Sequence, residues 1–390
     1  MGMAVLITAP LYIIFIWALI IVLLVILPEQ LQPFLVYLHW VRFPLGKLDK
    51  GERFGFRART VRNVAIKTAD GIVLAAWHIL PRSAGEKIST RAKDHQPERD
   101  IDDHFDDLMS KCKTCFIYFH GNAANRAAPN RVSFYREVLQ RADGEAHIIA
   151  LDYRGFGDSC GARPSERGLQ LDAQAVWEWV VRRVSPNAKV YLVGHSLGTG
   201  VATYLAAHLM AEAESNRSRT ADGLILVAPY KSVPDAALTY PTVPLLMPFR
   251  AHPAVSALAC RCVGEKWDSM ENIKALSPMP ILILHGAKDW EIPPSHSAAL
   301  FESACIYRSP SSARLHSIQE PIRGAPASSP PRKRRNSLFS AMKISTEGTL
   351  HVSTDNKVWY LEVARATHNN VGYFDIVPET LTTWLQVSSE

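Results

Sequence analysis

The 390-residue chain predicts an α/β domain: about eight mostly parallel strands with helices on both faces, preceded by an apolar N-terminal segment. Two observations carry this expectation. Short, continuously apolar runs of strand length alternate with segments of helical periodicity, and such runs belong to strands covered on both faces. An opening pair of alternating segments, split by a turn signal, adds a hairpin. Composition agrees. A hydrophobic fraction of 47% excludes a disordered or collagen-like chain, and six cysteines exclude a disulfide scaffold.

Residues 4–27 contain no charged side chain, and only Thr8, Pro10, Tyr12 and Trp17 interrupt their aliphatic character. At ~1.5 Å per residue the stretch spans roughly 36 Å, enough for a ~30 Å hydrocarbon core. A cleaved signal peptide would start with basic residues and end at a small-residue cleavage site. The first Lys or Arg here is Arg42, so a retained transmembrane anchor over residues 1–30 is expected, ahead of a cleaved signal or a buried helix. Residues 31–56 form a juxtamembrane aromatic segment. Phe34, Tyr37, Leu38 and Val41 recur at helical spacing, with Trp40 and Phe43 beside them. They suit either a headgroup interface or a helix packed on the main domain.

Residues 57–390 form that main domain. Segments 61–67 and 71–79 flank Thr68-Ala69-Asp70 as a hairpin. Strand runs follow at 115–119, 146–151, 189–194, 223–228, 280–285 and 357–364, with helical patterns at 131–141, 166–184, 196–210 and 295–303. Three insertions interrupt them. Residues 82–114 are polar. Residues 230–270 are apolar but broken by Pro241, Pro244 and Pro248, which prevent a long helix, and read as a lid or cap. Residues 308–343 are rich in Ser, Pro and Arg and read as disordered. The formal charge of +6 concentrates in this last insertion, which holds eight basic side chains and one acidic. The rest of the chain sits at −1. Nucleic acid is therefore not an expected partner, and the basic insertion suits anionic headgroups instead.

Gly194-His195-Ser196-Leu197-Gly198 follows a strand and opens a helix, the context in which G-x-S-x-G lifts a serine above a sheet edge. The Leu197 N–H at the helix start can face a developing oxyanion. A serine hydroxyl needs a base, and the base an orienting carboxylate, in the chain order Ser, acid, His for this architecture. Asp289 stands just past the strand at 281–284, whereas Asp235 and Asp268 lie near the apolar insertion. Among the later histidines, His368 follows the end of the last strand. His296 falls on a helix, His316 in the basic insertion and His351 before that strand. In Phe119-His120-Gly121-Asn122-Ala123, Gly121 permits a close turn and the Asn122 N–H becomes a second oxyanion donor, with Ala123 next and His120 positioning the loop. No metal or organic cofactor is required.

Four segments now carry a resemblance: Tyr118-Phe119-His120-Gly121-Asn122-Ala123, Asp152-Tyr153-Arg154-Gly155-Phe156-Gly157-Asp158-Ser159, Pro164-Ser165-Glu166, and Gly194 through Gly200. They resemble the α/β-hydrolase superfamily, and within it the membrane-anchored lysophosphatidylserine and monoacylglycerol lipases. The resemblance covers about residues 61–385. It implies an α/β-hydrolase fold and a membrane serine hydrolase of lipid esters at the endoplasmic reticulum membrane. Asp289, followed by Ile292-Pro293, and His368 match its acid and base positions. A thioesterase or peptidase on the same residues, or a non-catalytic scaffold, are the alternatives. Two features depart from the pattern: 79 residues separate Asp289 from His368, and sidedness signals conflict. Basic residues from Arg42 to Arg59, and Arg334-Arg335-Asn336-Ser337 as a kinase-type site, point to cytosol. The sequon Asn216-Arg217-Ser218 points to the lumen. The lone Cys112-Lys113-Thr114-Cys115 is a weak zinc signal. No protein partner is indicated.

Overall fold

The computed structural model describes residues 19, 22, 23, 26–84, 98–159, 161–239, 252–308, 338–344 and 346–389. Ten strands join in one sheet: β1 (Val61–Lys67), β2 (Val73–Ile79), β3 (Thr114–Phe119), β4 (His147–Leu151), β5 (Lys189–His195), β6 (Gly223–Val227), β7 (Ile281–Gly286), β8 (Phe339–Lys343), β9 (Gly348–Ser353) and β10 (Val358–Val363). Their order is β1-β2-β4-β3-β5-β6-β7-β10-β9-β8. The six strands from β4 to β10 in that order are mutually parallel. Antiparallel pairs extend the sheet at both edges.

The count exceeds the expected eight by β8 and β9. Every β8 side chain is half-buried or exposed, so no apolar run marks that edge strand. In β9, Thr349 and His351 separate the apolar positions. The expectation of disorder over 308–343 therefore fails at both ends: Phe339–Lys343 is a strand, and Arg308 closes a helix and donates to the carbonyls of Pro278 and Leu276. Residues 309–337, with His316 and Ser337, lie outside the described residues.

Among the described residues the α-helices of five residues or more are α1 (Pro28–Tyr37), α2 (Glu98–Ser110), α3 (Pro129–Ser133), α4 (Glu166–Val181), α5 (Leu197–Asn216), α6 (Val233–Thr239), α7 (Pro253–Cys262), α8 (Ser295–Arg308) and α9 (Ile376–Ser389). A π-helical stretch, Phe134–Leu139, continues α3. Strand side chains alternate between faces. On β3, Cys115, Ile117 and Phe119 join a core with α4, α5 and α8, while Phe116 and Tyr118 face the π-helical stretch and α9 on the other side. Both faces are thus dry, as continuous apolar strands require.

Within the polar insertion at 82–114, Glu98–Ser110 form α2. Phe105 and Met109, one helical turn apart on α2, are buried, and Arg62 of β1 pairs with Asp102 and Asp106. The acidic residues mask this short apolar stripe in the sequence. In the apolar insertion at 230–270, residues 240–251 lie outside the described residues, between α6 and α7. Most of the apolar N-terminal stretch lies outside them too. Among the described residues, no helix is long and apolar enough to cross a membrane. In the segment after it, Tyr37 is buried in the core, while Phe34, Leu35, Trp40, Phe43 and Leu45 are exposed.

Candidate active site

The β5–α5 junction carries Ser196 at φ 50°, ψ −118°, a region that non-glycine residues seldom occupy. The turn is held from both sides. The Ser196 N–H donates to the Val227 carbonyl at 2.9 Å, and the Ser196 carbonyl accepts from the Thr199 N–H at 2.9 Å. Glycine at 194 and 198 is a steric requirement, because a side chain at Gly198 would overlap the Phe119 carbonyl and one at Gly194 the Gly198 carbonyl. Ser196 itself stays partly open to solvent.

His368 returns to this point after β10, which pairs in parallel with β7. That pairing closes the gap of 79 residues. His368 Nε2 lies 2.8 Å from Ser196 Oγ, and Nδ1 lies 2.7 Å from Asp289 Oδ2. Those partners assign the tautomer: Nδ1–H donates to the carboxylate and Nε2 accepts from the hydroxyl. Asp289 Oδ1 accepts the N–H groups of Glu291 and Ile292 at 3.0 and 2.9 Å. Burial alone would raise the Asp289 carboxyl. Hydrogen bonds from His285 and His368, and the charge that His368 can carry, outweigh it and hold the group below the ordinary carboxylate range.

The rival residues have other duties. Asp235 pairs with Ser232 and Lys231, and Asp268 caps a short helix through the Glu271 N–H. His296 bonds to the Lys231 N–H and Thr239, and His351 stacks on Tyr360. His195 Nε2–H donates to the His368 carbonyl at 3.2 Å. Its burial, and then the neighbouring His368, push its imidazole down to about 3, so it stays neutral.

The loop after β3 abuts the serine: a Cβ on Gly121 would sit 3.2 Å from Ser196 Cβ. Its donors divide clearly. The Ala123 N–H goes to the Tyr37 carbonyl at 2.8 Å, while among the described residues no acceptor takes the Asn122 N–H. Leu197 opens α5, so its N–H has no acceptor within the helix. His120 Nδ1–H donates to the Gly121 carbonyl at 2.7 Å, and Tyr153 Oη–H to the His120 carbonyl at 2.9 Å.

His285 and Glu265 were not singled out from the sequence. His285, on β7, donates Nε2–H to the Ile292 carbonyl at 2.8 Å and reaches Asp289 Oδ2 at 3.2 Å. Its position four residues before Asp289 was the available signal. Glu166 and Glu265 tie the start of α4 to the chain after α7: each carboxylate accepts an N–H from the other's stretch of chain, Lys266 and Glu166 respectively, both at 2.5 Å. Tyr37 Oη meets Glu265 and accepts from Trp267 Nε1 at 3.1 Å, tying α1 to the same place. Cys112 and Cys115 are free thiols below the sheet, and among the described residues no side-chain cluster fits a metal.

A model of the alpha/beta hydrolase fold matches residues 114–238. Lysophosphatidylserine lipase ABHD12 of Danio rerio is 30% identical over 284 residues, covering 72% of this chain and 68% of that protein. Protein ABHD12B of Homo sapiens is 33% identical over 274 residues, 69% and 68% of the two chains. The ABHD12 lipase of Mus musculus is 32% identical over 287 residues, 73% and 67%. The esterase PF2001 of Pyrococcus furiosus superposes with a TM-score of 0.52 at 13% identity, over 90% of this chain and 98% of that one. This chain belongs to the α/β-hydrolase family and is a serine ester hydrolase related to the lysophosphatidylserine lipases.

Proposed function

We propose that the chain hydrolyses the acyl ester of a single-chain lipid, a lysophospholipid or monoacylglycerol, through Ser196, His368 and Asp289. The observation that carries this is the unbroken hydrogen-bonded line from Asp289 through His368 to Ser196, at 2.7 and 2.8 Å. Ser196 Oγ attacks the acyl carbonyl carbon as His368 Nε2 takes its proton. Asp289 keeps the imidazole in the right tautomer and stabilises the imidazolium without taking a proton itself. The N–H groups of Leu197 and Asn122 hold the oxyanion, each donor being worth on the order of 10²-fold or more in kcat. Collapse of the tetrahedral species expels the alcohol, which receives the proton from His368. Water activated by the same base then releases the fatty acid. The lipid class draws support from the relatives named as lysophosphatidylserine lipases and from the uncharged residues 4–27, which suit a membrane anchor.

A labelled fluorophosphonate tests the site: the wild-type chain takes up label and Ser196→Ala does not. Label persisting in Ser196→Ala assigns the nucleophile elsewhere. Turnover of lysophosphatidylserine and monoacylglycerol, set against an acyl thioester and a peptide, tests the substrate class; preference for either of the latter two overturns it.

A further inference from the structure

The loop Gly121–Asn125 is gripped from two sides. On one side, the N–H groups of Ala123, Ala124 and Asn125 donate to the carbonyls of Tyr37, Val41 and Phe43 at 2.8, 2.7 and 3.2 Å. On the other, the guanidinium of Arg131, from α3, collects carbonyls. Its Nη2 reaches those of Gly121, Asn122 and Ala123 at 3.0, 3.0 and 2.9 Å, and Nη1 reaches that of Asn125 at 2.7 Å. Ala123 and Ala124 both hold positive φ, 55° and 53°, so the loop is bent into a shape it would not keep unaided.

Arg131 is buried, at 4% exposure, and among the described residues no carboxylate pairs with it. An unpaired cation in that setting is costly, and the four carbonyls that it collects offset part of that cost. The guanidinium also fixes peptide planes, and at the Gly121 carbonyl it does so together with His120 Nδ1–H. The Gly121 carbonyl and the Asn122 N–H belong to one planar trans peptide and point in opposite directions. Holding the Gly121 oxygen on Arg131 therefore aims the Asn122 N–H away from it. Gly121 itself packs on Ser196. The next two peptides follow the same rule, with carbonyls on Arg131 and N–H groups on the Tyr37 and Val41 carbonyls.

We propose that Arg131 is a positioning residue for ester hydrolysis: it orients the Gly121–Asn122 peptide so that the Asn122 N–H meets the oxyanion formed on Ser196. The positive charge behind that peptide also polarises it toward a stronger N–H donor. The inference rests on Ser196 as nucleophile and Asn122 as donor.

The full-length chain carries the test, as Arg131→Lys, Arg131→Met and Ser196→Ala, assayed on a soluble short-chain ester. A trifluoromethyl ketone, whose serine adduct bears the oxyanion, supplies the second readout. Lysine offers one ammonium and cannot span four carbonyls. Arg131→Lys is therefore expected to lose about tenfold in kcat with KM within about twofold, and Arg131→Met on the order of 10²-fold. Ketone affinity falls in the same proportion. A purely structural arginine would lower Tm and leave the kcat of the folded protein and its ketone affinity alone. Arg131→Lys at wild-type kcat and ketone affinity overturns the proposal, whether or not Arg131→Met folds. Ser196→Ala with wild-type turnover would instead overturn the assignment of the nucleophile. An inactive Ser196→Ala beside a fully active Arg131→Lys removes only the role given to Arg131.

Discussion

Asp289 serves two imidazoles, and the second was not expected. His368 takes Oδ2 at 2.7 Å, and His285 approaches the same oxygen at 3.2 Å while bonding to the Ile292 carbonyl. His285 Nδ1 also faces Ser297 Oγ at 2.6 Å. His285→Leu would leave that hydroxyl and the Ile292 carbonyl buried without partners. It should lower stability by about 1–3 kcal/mol, measurable by urea titration; an unchanged midpoint would mean that the neighbours re-pair at no cost. The proposed reaction makes a sharper demand on His368 and Ser196. Replacing either by Ala should reduce kcat for ester hydrolysis on the order of 10⁴-fold or more, and the double variant should be little worse than the singles, because the two act as a unit. Additive losses in a steady-state assay would contradict a shared proton transfer.

At the scale of elements, the elbow depends on how closely α5 approaches β3. A methyl at position 198 would overlap the Phe119 carbonyl, which is backbone and cannot turn aside. Gly198→Ala should therefore cost on the order of 3 kcal/mol or more, seen as a large drop in Tm or loss of soluble protein; a wild-type Tm would show that helix and strand can separate. Elsewhere the sheet buries a histidine pair. His78 of β2 and His147 of β4 lie 2.8 Å apart. Burial pushes both imidazoles down, His147 to about 4. The unfolded chain binds protons near pH 6.5, which the folded chain refuses until far lower. Stability is therefore full above that pH and declines as pH falls from about 6.5 toward 4. His147→Gln keeps a hydrogen-bonding group for His78 and cannot take a proton, so the fall in urea midpoint between pH 7.5 and 5 should become shallower. Equal slopes would place the acid sensitivity elsewhere.

At the scale of the whole molecule, the segment after the apolar stretch is built into the catalytic domain. Tyr37, Val41 and Phe43 bind the loop beside Ser196, and α1 reaches the end of α7 through Gln32, which bonds Cys262 and Gly264. Two deletions should therefore differ in kind. Removing residues 1–27 should depress hydrolysis of lipid in bilayers far more than that of a soluble short-chain ester, because it changes only the local concentration of substrate. Removing residues 1–45 should abolish both, because the loop loses its backbone partners. Similar losses on both substrates from the shorter deletion would count against anchoring as the route to lipid, and a fully active longer deletion would show that the loop holds itself.

Much of this was legible in the chain. The central strands could be read because burial on both faces demands continuous apolar runs, and the elbow because its glycines are steric necessities. Asp289 and His368 were legible as residues at strand ends, though their distance from Ser196 was not. The edge strands β8 and β9 were hidden, since a strand with one solvated face needs few apolar residues. Arg131 and His285 look like any arginine on a helix or histidine on a strand. Sequence by itself determined the fold class and the tight strand-to-helix turn at Ser196, because hydrophobic patterning and local sterics set those. Only the tertiary structure decided which carbonyls meet the Arg131 guanidinium and which N–H groups of that loop meet the Tyr37, Val41 and Phe43 carbonyls, because such bonds join segments far apart in the chain and carry no local periodicity.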